Sequence, residues 1–154
     1  MLIKFDLDMI ADGLGIDKAD VIELFTDGRP ASFLMKRKIA HEKKWILGNK
    51  NADYDWIDED QNFVECRVLT ENGVSFLPNK NIGFGRGYNE RDFIKKLNFI
   101  KYYIVADVTE FPNVYLTKVP SEKIEYWHFR GNLNGCGKIA KSKFYKLMGM
   151  GLST

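Results

Sequence analysis

The chain has 154 residues, 45% of them hydrophobic and 14% aromatic, which is enough for one folded domain with a buried core. No apolar run reaches the roughly 18 residues that a membrane helix needs, and Met1-Leu-Ile-Lys-Phe-Asp6 does not follow a signal-peptide plan. Cys66 and Cys136 are too few for a zinc site or a disulfide framework, so a reducing cytoplasm is expected, with Cys66 buried in a strand.

The net charge of +2 conceals segregation. Residues 1–28 carry −5, residues 29–50 carry +6, residues 51–65 carry −6, residues 78–101 carry +4 and residues 123–146 carry +5. An acidic centre framed by basic segments suits a protein that holds metal with its acids and phosphate with its bases. Ordinary solvated charge is the plain alternative for each basic segment.

In chain order, Asp6–Gly13 and Asp17–Thr26 read as short helices, with Asp17 as an N-cap and Gly28 as a stop. Their acidity argues against DNA contact and for packing or dimerisation. Arg29-Pro30 opens a longer helix over Ala31–Leu47, because proline suits a first turn, with Gly48 as its C-terminal cap. Phe33, Leu34, Ala40 and Leu47 form its expected buried side, flanked by Ile39 and Ile46.

Asp53–Ile57, the turn Asp58–Gln61 and Asn62–Thr70 then read as a β-hairpin. Side chains alternate along a strand. Phe63, Glu65 and Arg67 therefore share one face, Val64, Cys66 and Val68 share the other, and Asp55 sits across from Glu65. Two carboxylates meeting at one spot repel unless a divalent cation joins them, and hard oxygen ligands suit magnesium. Asp53 is a neighbouring candidate; Asp58, Glu59 and Asp60 fit a solvated turn.

Val74–Leu77 is expected as a third strand of the same meander. Pro78–Gly87 makes a glycine-rich loop that lacks the Gly-Lys-Ser/Thr of a phosphate-binding loop. Asn89 caps a helix over Glu90–Ile100, with Phe93, Ile94, Leu97 and Ile100 on one face. Tyr102–Val108 is nearly all apolar, as a strand covered on both faces should be, and Asn113–Val119 follows as another strand. A helix between strands implies a crossover and a mixed sheet. Ser121–Phe129 is open between helix and strand, and Lys138–Lys146 is basic with interleaved aromatics.

This layout resembles the PD-(D/E)xK nuclease family, which includes most type II restriction endonucleases. Asp55 matches the family's Asp, Glu65 its Glu, and Arg67 stands where the family usually has Lys. The resemblance covers roughly residues 32–120, leaving a helical segment at 1–28 and a basic region at 121–154 within one nuclease-like domain. It implies an α/β (α+β) fold with a mixed sheet flanked by helices, ordered as helix, antiparallel meander with the acids, helix and core strand. It also implies a magnesium-dependent endodeoxyribonuclease, with manganese as a substitute metal. Asp55, Glu65 and the Cys66 carbonyl would hold the metal, and Asp55, Glu65 and Arg67 would form the catalytic set.

Arginine stays protonated, so Arg67 cannot be a general base but can hold phosphate. Either Arg67 replaces the lysine, or another lysine such as Lys44 or Lys80 reaches in, or catalysis is weakened or lost. Glu42 is an accessory metal-side candidate, with an ion pair to Lys38 as the alternative. Lys80, Asn81 and Arg86 are candidates for base reading, because arginine reads guanine and asparagine reads adenine. Lys138, Lys141, Lys143 and Lys146 are candidates for phosphate contacts. Ser75, Trp127, His128 and Arg130 are further candidates near the site or the DNA. The expected partners are double-stranded DNA and a second copy of the chain in a homodimer; no membrane is expected. A non-catalytic DNA-binding protein, a nicking, homing or repair nuclease, and a regulatory protein are the competing readings.

Overall fold

The computed structural model describes residues 1–81, 85, 87–135 and 137–150. Strand β1 (Leu2–Lys4) leads into α1 (Leu7–Leu14) and α2 (Lys18–Thr26). Asp6 caps α1 by accepting from the Met9 N–H, and Gly28, at φ 95°, turns the chain into α3 (Arg29–Lys43). The expected run of α3 to Leu47 is too long. Lys44 adopts a left-handed conformation at φ 57° as the C-cap, and β2 (Ile46–Leu47) follows. Its buried face is Ala31, Met35 and Ile39, an i, i+4, i+8 stripe, while Phe33, Ile46 and Leu47 are exposed.

Strands β3 (Trp56–Ile57) and β4 (Phe63–Leu69) form the acidic hairpin, and β5 (Val74–Ser75) comes next. Helix α4 (Glu90–Phe99), capped by Asn89, crosses to β6 (Tyr102–Asp107). Strand β7 (Asn113–Pro120), helix α5 (Ser121–Phe129), β8 (Lys138–Ile139) and α6 (Lys141–Leu147) complete the order.

The main sheet has the order β1-β7-β6-β4-β3-β2. The β4–β6 pair is parallel and the other pairs are antiparallel, so the sheet is mixed. All six residues of β6 are buried, as its apolar run requires. Alternation along the central strands sorts the core into two layers. Val64, Cys66, Ile104 and Ala106 pack against α1, α2 and α3. Leu69, Tyr103 and Val105 pack against α4, α5 and α6.

Val74–Leu77 is not a third strand of the acidic meander: β5 leaves the main sheet and pairs antiparallel with β8 in a small sheet of its own. The meander is β2–β3–β4 instead. Gly73, at φ 93°, permits that departure, because a Cβ there would lie 2.1 Å from the Ile139 carbonyl oxygen. The N-terminal acidic helices pack on the core, with Phe25 stacked on Phe111 at 4.8 Å. Among the described residues no helix is long and apolar enough to cross a membrane.

Candidate active site

The β3–β4 ladder pairs Trp56 with Val64 and Ile57 with Phe63. The pairs end there, and Asp55 and Glu65 are the next residues on either side of the ladder's end. Because β3 begins at Trp56, β4 loses its strand partner there, and the Asp55 carboxylate takes the vacant place: its Oδ2 accepts the Cys66 N–H at 2.7 Å. The N–H and C=O of one residue leave a strand on the same side, so the Cys66 carbonyl opens on the same edge. The Cys66 thiol points the other way, into the core, and burial pushes it up to about 12. It stays a thiol and is no metal ligand.

The Asp55 backbone is fixed as well. Its N–H bonds the Val64 carbonyl at 3.0 Å, and its own carbonyl accepts from the Gly48 N–H at 2.8 Å. Lys36 of α3 closes on Asp55 Oδ1 at 2.6 Å. Asp55 therefore lies at the rim of the sheet, within reach of both faces.

Glu65 is 3% exposed. Arg67 Nη2 meets its Oε1 at 3.0 Å, and Lys96 of α4 meets its Oε2 at 3.2 Å. Lys96 also donates to the Asp53 carbonyl. Burial raises the Glu65 carboxyl above the usual range; Arg67 and Lys96 pull it back, and the charge of Asp55 pushes it further up. The charge of Asp55 therefore reaches Glu65.

Arg67 is braced. Its Nη1 donates to Asn79 Oδ1 at 2.8 Å, and its Nη2 donates to the Leu77 carbonyl at 2.7 Å. The chain after β5 thus ends in a clamp on the guanidinium.

Lys36 and Lys96 are the site residues that sequence reasoning missed. Each adjoins a buried helical position, Met35 and Leu97, and so stands at the edge of an apolar face looking toward the sheet. That adjacency is the one signal that pointed to them.

Other candidates lie elsewhere. Glu42 pairs with Lys38 at 3.3 Å, four residues away on one helix, and is not at the carboxylate pair. Lys44 is exposed at the end of α3. Asp58 is not a solvated turn residue: it is 5% exposed and accepts from the Asp60 and Asn62 backbone and from the Tyr102 hydroxyl. Glu59 accepts from the Trp45 indole, and Asp60 is exposed. Ser75 is half-buried and turned to the Leu77 N–H.

Lys80 pairs with Asp92 at 3.2 Å, and Asn81 donates to the Gly87 carbonyl at 3.1 Å. Arg86 lies outside the described residues. Lys138 is half-buried on β8, and Lys143 and Lys146 are exposed. Lys141 is held by Thr109 and Glu71. Trp127 is core, at 2% exposure. His128 is bonded to Glu90 at 2.8 Å, away from the acids, and Arg130 lies against Tyr126.

Among the described residues no group of three His, Cys, Asp or Glu side chains is placed to hold a metal ion. The available donors are two carboxylates and a backbone carbonyl. That set fits magnesium, which is commonly held by one or two carboxylates and keeps several waters. Two buried polar atoms next to Glu65 also fit a site that takes a further group: Arg67 Nε and the hydroxyl of Tyr103, the strand neighbour of Glu65, have no hydrogen-bond partner among the described residues. No protein-family model matches the sequence, and no curated protein matches it.

Proposed function

We propose that this chain is a magnesium-dependent endodeoxyribonuclease of the PD-(D/E)xK kind, hydrolysing phosphodiester bonds of DNA. The observation that carries the reading is the Asp55 carboxylate on the N–H of Cys66, the residue after Glu65, at the point where β3 ends, with the Cys66 carbonyl on the same edge, Lys36 on Asp55, and Lys96 and Arg67 on Glu65. The order of α3, the antiparallel β2–β3–β4, α4 and β6 parallel to β4 supports it, since the resemblance implies helix, meander, helix and core strand.

Asp55, Glu65 and the Cys66 carbonyl would hold magnesium, which when bound polarises a phosphate and lowers the pKa of a coordinated water. The rest falls to the chain. Hydrolysis joins a water oxygen to phosphorus and breaks the bond to the leaving sugar oxygen, which takes up a proton. Lys96 is the family lysine's counterpart in this reading, brought in from α4 rather than from the strand. Lys96 would donate to a phosphate oxygen as negative charge develops there, in place of its present pairing with Glu65. Arg67 keeps Glu65 oriented, and Lys36 does the same for Asp55.

A second reading has its own observation. Arg67 is committed to Leu77, Asn79 and Glu65, and a brace of that kind in the lysine's position suits a DNA-binding protein whose catalysis is lost. Supercoiled plasmid incubated with the purified protein and Mg2+ or Mn2+, beside Asp55→Ala, separates the two. Cleavage that vanishes in the variant is expected; salt-sensitive binding without cleavage in either metal would favour the second reading.

A further inference from the structure

Phe99 ends α4 and is 41% exposed. One ring face stacks on Phe63, with centroids 4.7 Å apart and planes at 16°, and Phe63 in turn lies 4.7 Å from Tyr54. Each of these aromatics is tied to the acid pair. Tyr54 precedes Asp55 in the chain. Phe63 shares a strand face with Glu65 two residues on, a separation of roughly 7 Å. Phe99 follows Lys96 by three residues, so the two neighbour each other on the helix surface.

Phe99 also stands between two clefts. One, of about 150 Å³, is lined by Lys80, Lys95 and Lys96 together with Asp53 and Asp92, and its Lys96 is the lysine that pairs with Glu65. The other, of about 570 Å³, runs past Phe63 and Lys101. Its lining also includes Lys118, Glu122 and Glu125. The surrounding segment 78–101 has a net charge of +4. A partly exposed aromatic stack bordered by lysines is how proteins seat unpaired bases: lysines track the backbone and the rings take the bases. Intact duplex offers base edges in its grooves, while its base faces are stacked on one another.

We propose that Phe99 is a stacking platform for an unpaired DNA base beside the Asp55–Glu65 site, so that the substrate is single-stranded or frayed DNA rather than intact duplex. The proposal rests on the nuclease reading for what happens to the strand, but not for its binding. Among the competing nucleases it favours a processing or repair enzyme over one that cuts a duplex palindrome.

The test is fluorescence anisotropy of a labelled oligothymidylate and of a labelled blunt-ended, GC-rich DNA duplex, in the full chain carrying Asp55→Ala to prevent cutting. Phe99→Ala and Phe99→Leu are compared in that background; leucine keeps the apolar contact with Phe63 and removes the aromatic face. The oligothymidylate should bind more tightly than the duplex, both substitutions should weaken it on the order of tenfold, and the duplex affinity should stay unchanged. Equal affinity for the two probes, or oligothymidylate binding indifferent to Phe99→Leu, would overturn the proposal. Phe99-dependent binding in a protein whose unsubstituted form cuts no DNA would sustain it while removing the nuclease reading.

Discussion

Lys96 on α4 and Glu65 on β4 meet at 3.2 Å, with the lysine side chain 14% and the carboxylate 4% exposed. That contact supplies from a helix the amine that the hairpin itself lacks. If Lys96 carries the lysine's role, Lys96→Ala should lower magnesium-dependent cleavage on the order of a hundredfold or more, the scale of losing a positioned proton-transfer or charge-stabilising group. DNA affinity should change far less. Steady-state cleavage set beside binding checks this, and a silent Lys96→Ala would return the role to Arg67.

The raised Glu65 carboxyl has two consequences for pH. Metal binding needs the ionised form, so the acid limb of the cleavage profile should lie above the ordinary carboxylate range. For stability the sign is reversed. Between the ordinary carboxylate value and the raised one, the folded chain holds a proton that the unfolded chain has released, so metal-free stability should rise as pH falls through that interval. Glu65→Gln should flatten this contribution in denaturant titrations; an unchanged slope would contradict it.

Asp58 should behave in the opposite way. Burial alone would raise its carboxyl, but donors from Asn62, Tyr102 and Asp60 outweigh that and hold it below the usual range. Its stabilisation is present above the ordinary carboxylate pKa and is lost as pH falls through the depressed value. Asp58→Ala should cost about 2–3 kcal/mol at neutral pH, the scale of hydrogen bonds to a charged group left unmade, and the difference from the parent should shrink in strong acid. Chemical denaturation across pH measures both.

Gly48 is required by crowding rather than by its own backbone angle. A Cβ there would lie 2.5 Å from the Tyr54 carbonyl oxygen, and the Gly48 N–H holds the Asp55 carbonyl. Gly48→Ala should destabilise the fold by about 1–3 kcal/mol and weaken metal binding by moving Asp55. Thermal unfolding with and without Mg2+ reads both, and a variant that keeps the parent's stability and metal response would show that β2 and β3 can shift freely.

The acid hairpin was legible because strand alternation is short-range: Glu65 between Val64 and Cys66 fixes its own face, and the hairpin carries Asp55 to the Cys66 N–H beside it. Asn89 and the Phe93–Leu97 spacing likewise announced α4. The end of α3 was not legible, since Trp45-Ile46-Leu47 continues an apolar pattern and only Lys44 in a left-handed conformation breaks it. The exchange of β5 from the meander to β8 depends on a partner more than sixty residues away. Lys36 and Lys96 were hidden for the same reason: their partners, Asp55 and Glu65, lie far along the chain from them, and their adjacency to a buried position is shared by Lys38, next to Ile39. Asp58 was misjudged because a turn acid is ordinarily solvated, whereas here Tyr102 of another strand reaches it.

The central claim is that Asp55 and Glu65 form one divalent-cation site, now satisfied by Lys36, Lys96 and Arg67. Calorimetric titration of the full chain with Mn2+, beside Asp55→Asn and Glu65→Gln, tests it without any assumption about the DNA. The account predicts saturable binding that both substitutions abolish and that tightens as pH rises out of the carboxylate range. Binding that survives both substitutions, or none in the unsubstituted protein, would contradict it.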